Sequence, residues 1–176
     1  PISAIDRLQE KLNVKENFVI LGVASPWVKR KGLNDFVELS KLLKNDCSII
    51  LVGLNKKQLN NLPSNIIGLP RTESPKHLAK LYSLSDVFVN PTYEDTFPTT
   101  NLEAMACGTP VIVFEGTSLP DVIKAPLGGL AVPNKDSTAL AKAIKQLMED
   151  DEMRTKIGMQ ARLIAEREYS TSLYIE

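Results

Sequence analysis

DVFVNPTYEDTFPTTNLEAMACGTPVIVF, the stretch from Asp86 to Phe114, decides the fold. Asp86-Val87-Phe88-Val89 is a short apolar run closed by Asn90-Pro91, and Pro110-Val111-Ile112-Val113-Phe114 is a second run of the same kind. Apolar runs without polar alternation are the mark of strands buried on both faces, as in a parallel sheet covered by helices. Between them Thr96 can act as an N-cap, and Pro98 suits a first helical turn because proline lacks only an N–H that would be unpaired there. The helix is expected to begin near Phe97 or Pro98 and to stop at Gly108, a usual left-handed terminator.

A helix that starts at the C-terminal end of a parallel strand directs unpaired N–H groups, here those of Thr99 and Thr100, into the crevice where open α/β sheets bind ligands. Such donors favour an anion, phosphate above all. Glu103 lies about one turn further on. It is placed to accept hydrogen bonds from a ligand's hydroxyls rather than to face its phosphate, and with Asp95 it brackets the turn. An isolated acid pair of this kind would read as a turn cap and a solvated helix residue.

Outward from this stretch the pattern repeats. Upstream, Ile2, Ile5, Leu8 and Leu12 have helical spacing, and Phe18 to Ala24 reads as the first buried strand. The loop Ser25 to Lys31 ends in three cations, Lys29, Arg30 and Lys31, before Gly32 and a helix whose inward face is Leu33, Phe36, Val37, Ser40 and Leu43. Basic residues there can neutralise a diphosphate, arginine as a fork and lysine as a point charge. Ser48 to Gly53 is the next strand, its terminal glycine suited to close approach by a ligand. Ile66 to Arg71 follows, and Ser74-Pro75 opens a helix with Leu78, Leu81 and Tyr82 inward.

Downstream, Glu115 to Asp121 reads as a turn and a short helix, and Gly128 to Pro133 as a last strand. Leu140, Ala143, Ile144, Leu147 and Met148 form a helical stripe after an Asp136 or Ser137 cap. A polar corner, Glu149 to Glu152, leads to a final helix through Met153, Ile157, Ala161 and Ile164. Strands and helices thus alternate about six times, which closes naturally as a parallel sheet with right-handed crossovers. The fold expected is a Rossmann-like doubly wound α/β domain. No G-x-G-x-x-G follows the first strand, so the usual fingerprint of a nicotinamide or flavin dinucleotide site is lacking.

A chain of 176 residues, 43% of them hydrophobic, fits a single domain with one well-filled core. Its formal net charge is zero, which implies no strongly basic face and argues against nucleic acid as a partner. No run reaches membrane-spanning length and no signal peptide opens the sequence. Because it begins with Pro1 rather than Met, the chain reads as cut from something longer. Cys47 and Cys107 lack ligand-like spacing and read as buried thiols of a reducing cytoplasm. His77, the single histidine, falls on a surface helix.

The central stretch resembles the signature of the family 4 retaining glycosyltransferases. In that signature two acids separated by seven residues precede a run that stands here as Ala104-Met105-Ala106-Cys107-Gly108-Thr109-Pro110-Val111-Ile112. Counting back from Glu103 places the first acid at Asp95, where the family usually has Glu, with Glu94 beside it as the competing candidate. The resemblance implies that Glu103 holds the ribose hydroxyls of a sugar nucleotide and that Asp95 contacts the donor sugar. The family's Lys-Gly pair is matched by Lys31-Gly32, which gives Lys31 a diphosphate role. Its usual Arg position is Val23 here, and Arg30 stands as the substitute. Leu69 and Arg71 would frame the nucleobase, and Phe97 would lie beside the sugar.

It further implies one half of a GT-B fold, with residues 1–176 as the C-terminal, donor-binding domain of a two-domain enzyme. The donor would be a nucleotide-diphosphate sugar of the UDP or GDP type, and the acceptor a hydroxyl of a glycan or lipid-linked glycan bound mainly by an N-terminal half. No separate cofactor and no metal would be needed, because Lys31, Arg30 and the helix end supply the positive charge. The setting implied is polysaccharide or glycoconjugate synthesis in the cytoplasm or at the inner face of the membrane, with peripheral membrane association through the other half. Two alternatives stay open: a non-catalytic nucleotide- or glycan-binding module, and another GT-B enzyme such as a sugar-nucleotide epimerase. The acid spacing favours a transferase.

Overall fold

The computed structural model describes residues 3–94 and 99–170. Among them are the strands β1 (Phe18–Val23), β2 (Cys47–Val52), β3 (Ile66–Leu69), β4 (Val87–Asn90), β5 (Val111–Phe114) and β6 (Gly129–Val132). They form one sheet in the order β3-β2-β1-β4-β5-β6, with every neighbouring pair parallel. The chain winds outward from β1 through β2 and β3, then crosses back to β4 and winds the other way. The topological switch therefore lies between β1 and β4. The doubly wound fold read from the sequence is the one found.

Helices α1 (Ala4–Leu12), α2 (Leu33–Leu43), α3 (Lys56–Asn60), α4 (Pro75–Leu84), α5 (Thr99–Ala106), α6 (Leu119–Val122), α7 (Ser137–Glu149) and α8 (Asp151–Glu168) connect the strands and follow them. Strand residues alternate between two cores, as the two-residue side-chain period requires. Ile20, Ile49, Leu51, Ile112 and Phe114 meet Phe36, Leu39 and Leu43 of α2 and Leu140, Ile144 and Leu147 of α7. Val19, Leu21, Ile50, Phe88, Val111 and Val113 meet Leu81 and Tyr82 of α4, Ala104 and Met105 of α5 and Ala161 and Ile164 of α8. Burying one such aliphatic or aromatic side chain contributes about 1.5–3 kcal/mol, so the two layers carry the fold.

Helix starts follow side-chain chemistry. The Ser74 hydroxyl accepts the His77 amide at 3.2 Å, Asp136 accepts that of Ala139 at 2.8 Å, and Asp150 accepts that of Met153 at 2.9 Å. Asp86, expected at the head of a strand, instead ties β4 to β1. Its carboxylate accepts the Val19 amide at 2.8 Å, and its own amide donates to the Val19 carbonyl at 2.9 Å. Burial raises its pKa, opposed by the Val19 bond and by Arg154.

Two details differ from the sequence reading. The inward face of α2 is rotated: Leu39 and Asp35 are buried, whereas Leu33 and Val37 are only half-buried. Gly53 does admit a close neighbour, but the neighbour is the chain itself. With φ at 99°, a Cβ there would lie 1.7 Å from the Ala24 carbonyl oxygen. Among the described residues, no helix is long and apolar enough to cross a membrane.

Candidate nucleotide site

The loop leaving β1 is anchored by Trp27. Its ring is buried edge-on against Phe36, with centroids 5.7 Å apart, and its Nε1 donates to the Val52 carbonyl at 2.8 Å. The Gln58 amide in turn donates to the Trp27 carbonyl at 2.7 Å. So held, the chain makes one 3₁₀ turn over Lys29–Lys31, closed at Gly32 in the left-handed region with φ at 81°. A Cβ on Gly32 would sit 2.3 Å from the Pro91 carbonyl oxygen, so glycine is what lets this turn approach the loop after β4.

That approach is sealed by hydrogen bonds. The Arg30 carbonyl accepts the Tyr93 amide at 2.9 Å and the Thr92 hydroxyl at 3.1 Å, and the Arg30 guanidinium donates to the Glu94 carbonyl at 3.2 Å. The basic turn and the acidic loop therefore form one unit at the switch point, where open α/β sheets take their ligands. Ser25, Pro26, Val28 and the three cations line a recess of about 680 Å³ beside it.

A second tie runs beneath the acidic loop. Asp35, 5% exposed, accepts the Tyr93 hydroxyl at 2.5 Å and the Ser137 hydroxyl at 3.1 Å. The Tyr93 ring stacks on Phe114 at 6.1 Å, and the Lys135 ammonium lies 4.8 Å from its centroid. Three elements thus fix the residue that precedes Glu94 and Asp95: α2, β5 and the start of α7. Burial, with the hydrogen bond to Asp35 and its charge, pushes the Tyr93 hydroxyl up to about 12.

On α5 the Glu103 carboxylate accepts the Tyr82 hydroxyl at 2.8 Å. Tyr82 is 1% exposed and stands edge-on to Phe88 at 5.4 Å. Its carbonyl accepts the Thr109 hydroxyl at 2.7 Å. Burial first, and then the nearby Glu103 charge, raises the Tyr82 pKa, so the phenol stays a donor. Glu103 is exposed yet held at one oxygen by a rigid partner. Further up α5 the Asn90 amide donates to Asn101 at 3.0 Å. Asn101 is fully buried, and its Nδ2 has no partner among the described residues. A buried donor left this way costs about 1–3 kcal/mol.

The sequence-predicted residues fall in three groups. Arg30 meets Glu94 at the switch point, Lys31 stands beside it in the same 3₁₀ turn, and Thr99, Thr100 and Glu103 lie on the helix that follows the acidic loop. Leu69 and Arg71 lie at the end of β3, two strand spacings or roughly 10 Å from the β1 turn. Leu69 is half-buried and its carbonyl accepts the Gly53 and Leu54 amides, whereas Arg71 is exposed. Asp95 and Phe97, with Thr96 and Pro98, lie outside the described residues.

Trp27, Asp35, Tyr82, Tyr93 and Ser137 were not singled out as site residues by sequence reasoning. For Trp27 a signal existed: it is the single tryptophan of the chain, set in the short loop that follows the first strand. For Ser137, 102 residues from Asp35, there was none. Burial raises the thiol pKa of Cys47, to about 11, and that of Cys107, so both stay protonated at neutral pH. Among the described residues no group of three or more His, Cys, Asp or Glu is placed to hold a metal ion.

The sequence profile described as glycosyl transferases group 1 matches residues 4–164. The chain belongs to this family. A relative, the alpha-galactosylglucosyldiacylglycerol synthase of Streptococcus pneumoniae, is 29% identical over 182 residues, which cover 97% of this chain and 47% of that protein. The capsular polysaccharide biosynthesis glycosyltransferase CapM of Staphylococcus aureus is 27% identical over 184 residues, covering 97% and 48%. The chain spans about half the length of the curated relatives it matches. Anabaena HepE, solved in complex with UDP-glucose, superposes with a TM-score of 0.86 at 20% identity, over 96% of this chain and 49% of that one. This group 1 glycosyltransferase chain thus carries both the Ala104 to Ile112 run and the sheet that the run implies.

Proposed function

We propose that this chain is the donor-binding half of a two-domain retaining glycosyltransferase and holds a nucleotide-diphosphate sugar of the UDP or GDP type at the β1/β4 switch point. One observation carries the reading: the basic turn Lys29–Lys31 is docked on the acid-bearing loop after β4, which runs directly into α5. Lys31, Arg30 and the amides of Thr99 and Thr100 face the diphosphate, a preorganised positive field for the charge that develops as it leaves. Glu103, oriented by Tyr82, takes the ribose hydroxyls, and Asp95 or Glu94 the sugar. Leu69 and Arg71 border the base.

In the reaction the bond from the anomeric carbon to the diphosphate oxygen breaks, with its electron pair on the leaving group. A bond to the acceptor hydroxyl oxygen forms on the same face, and the proton of that hydroxyl passes to the leaving diphosphate oxygen. The relatives, a glycolipid synthase and a capsular polysaccharide glycosyltransferase, favour a glycan or lipid-linked acceptor. That acceptor is bound mainly by a further domain, at the cytoplasmic face of the membrane. The UDP-glucose held by HepE supports the donor class.

Calorimetric titration with UDP, GDP and ADP tests this. One nucleotide is expected to saturate the chain, and Glu103→Ala to weaken it by about 1.5–3 kcal/mol, as for a hydrogen bond to a charged group. Lys31→Ala is expected to weaken UDP or GDP binding more than binding of the matching nucleoside. Equal wild-type affinity for nucleoside and diphosphate refutes the role of the basic turn, and an unchanged Glu103→Ala isotherm refutes the ribose contact.

A further inference from the structure

Overall neutrality conceals a segregated charge. On the face of the sheet away from α2 and α7, helices α1 and α4 pack side by side and leave a groove of about 590 Å³. Arg7 and Lys11 line it from α1, and Lys76 and Lys80 from α4, with His77 beside them. Each pair is four residues apart on its helix, so cations repeat about every 6 Å along each wall. None of the lining residues is acidic, and the floor includes Ala4 and the half-buried Leu8. The lining thus holds four cations and no acid, while the acids of α1, Asp6 and Glu10, are engaged by Ser3 and by Lys15.

We infer that this groove docks the chain on a bilayer surface rich in anionic phospholipid, taking headgroup phosphates between the two helices. The charge repeats along both walls rather than converging on one point, which suits several neighbouring phosphates better than a single soluble one. The apolar floor fits the glycerol carbons of a lipid headgroup. It fits a nucleic acid poorly, because the groove offers no Phe, Tyr or Trp platform for successive bases and only one imidazole, that of His77. Basic side chains near an anionic leaflet each contribute about a five-fold gain in partitioning, and salt screens that gain. This surface is separate from the proposed donor site, so it stands or falls apart from that reading.

Co-sedimentation of the whole chain with two sets of vesicles tests it, one of phosphatidylcholine alone and one of equal parts phosphatidylcholine and phosphatidylglycerol. Binding is expected only to the mixed vesicles, and raised salt should weaken it. Lys76→Gln with Lys80→Gln is expected to lower partitioning about 25-fold, while Lys76→Arg with Lys80→Arg keeps it. Circular dichroism and UDP titration of the same variants report on the fold and on the donor site separately. Equal binding to both vesicle types, or a glutamine variant that partitions like wild type, overturns the inference. So does inorganic phosphate or a single-stranded oligonucleotide binding through these lysines while mixed vesicles do not.

Discussion

Tyr93→Phe removes one hydroxyl and leaves its surroundings in place. The ring still stacks on Phe114 and stays under the Lys135 ammonium, so the perturbation isolates the 2.5 Å hydrogen bond to Asp35. A bond to a charged acceptor contributes about 1.5–3 kcal/mol, and more of that is felt when the acceptor is as buried as Asp35. Because Ser137 still donates to the other carboxylate oxygen at 3.1 Å, the loss belongs at the lower end, about 1.5–2 kcal/mol. With a urea dependence of about 1–3 kcal/mol per molar, the unfolding midpoint should fall by roughly 0.5–2 M.

The same bond has a pH signature. The Tyr93 hydroxyl is raised from 10.0 to about 12, so its protonated form is favoured in the folded state. Its contribution is therefore complete below 10.0 and is lost as pH rises toward about 12. The stability gap between wild type and Tyr93→Phe should close across that window, since other titrating groups are common to both. Urea unfolding at neutral pH and at steps through the alkaline range measures it. A variant as stable as wild type at neutral pH, or a gap that stays constant through the window, refutes the assignment.

Two glycines at positive φ should respond differently to alanine. At Gly32 a left-handed alanine costs about 1–2 kcal/mol, and its Cβ would also press into the Pro91 carbonyl at 2.3 Å, so stability and UDP affinity should both fall. At Gly108 the nearest obstacle to a Cβ, the Gly158 carbonyl oxygen, is 3.8 Å away, so only the conformational part, about 1–2 kcal/mol, should be seen. Equal losses in urea unfolding would contradict the steric reading. Tyr82→Phe keeps the packing on Phe88 but leaves Glu103 without its orienting donor, so stability should drop by about 1 kcal/mol and UDP should bind more weakly. Unchanged UDP affinity in calorimetry would show that Tyr82 does not position Glu103.

The fold was legible because its signals are local. Runs such as Ile49-Ile50-Leu51-Val52 have no polar face to expose, so they had to be strands covered on both sides, and the caps at Ser74 and Asp136 mark helix starts within three residues of their partners. The inward face of α2 was read less well: drawn through Leu33, Phe36, Val37, Ser40 and Leu43, it left out the buried Asp35 and Leu39. Asp35 occupies the inner face beside Phe36 and Leu39, where a burial-by-hydropathy rule cannot place it. Its burial is possible because two hydroxyls meet it there.

Those hydroxyls explain why the site was only half legible. The Lys29–Lys31 turn and Glu103 could be named from short motifs, but what fixes them is non-local. Tyr93 lies 58 residues from Asp35, Glu94 lies 64 from Arg30, and Glu103 lies 21 from Tyr82. No periodicity carries such pairings, since each depends on which loops the strand order brings to one end of the sheet. Crossing from β3 back to β4 is what sets the acid-bearing loop against the β1 turn. Once there, the loop is clamped on one side by a backbone seal that Gly32 permits and on the other by a buried carboxylate shared with α7. The motif supplies the chemical groups, and the doubly wound topology supplies their distances.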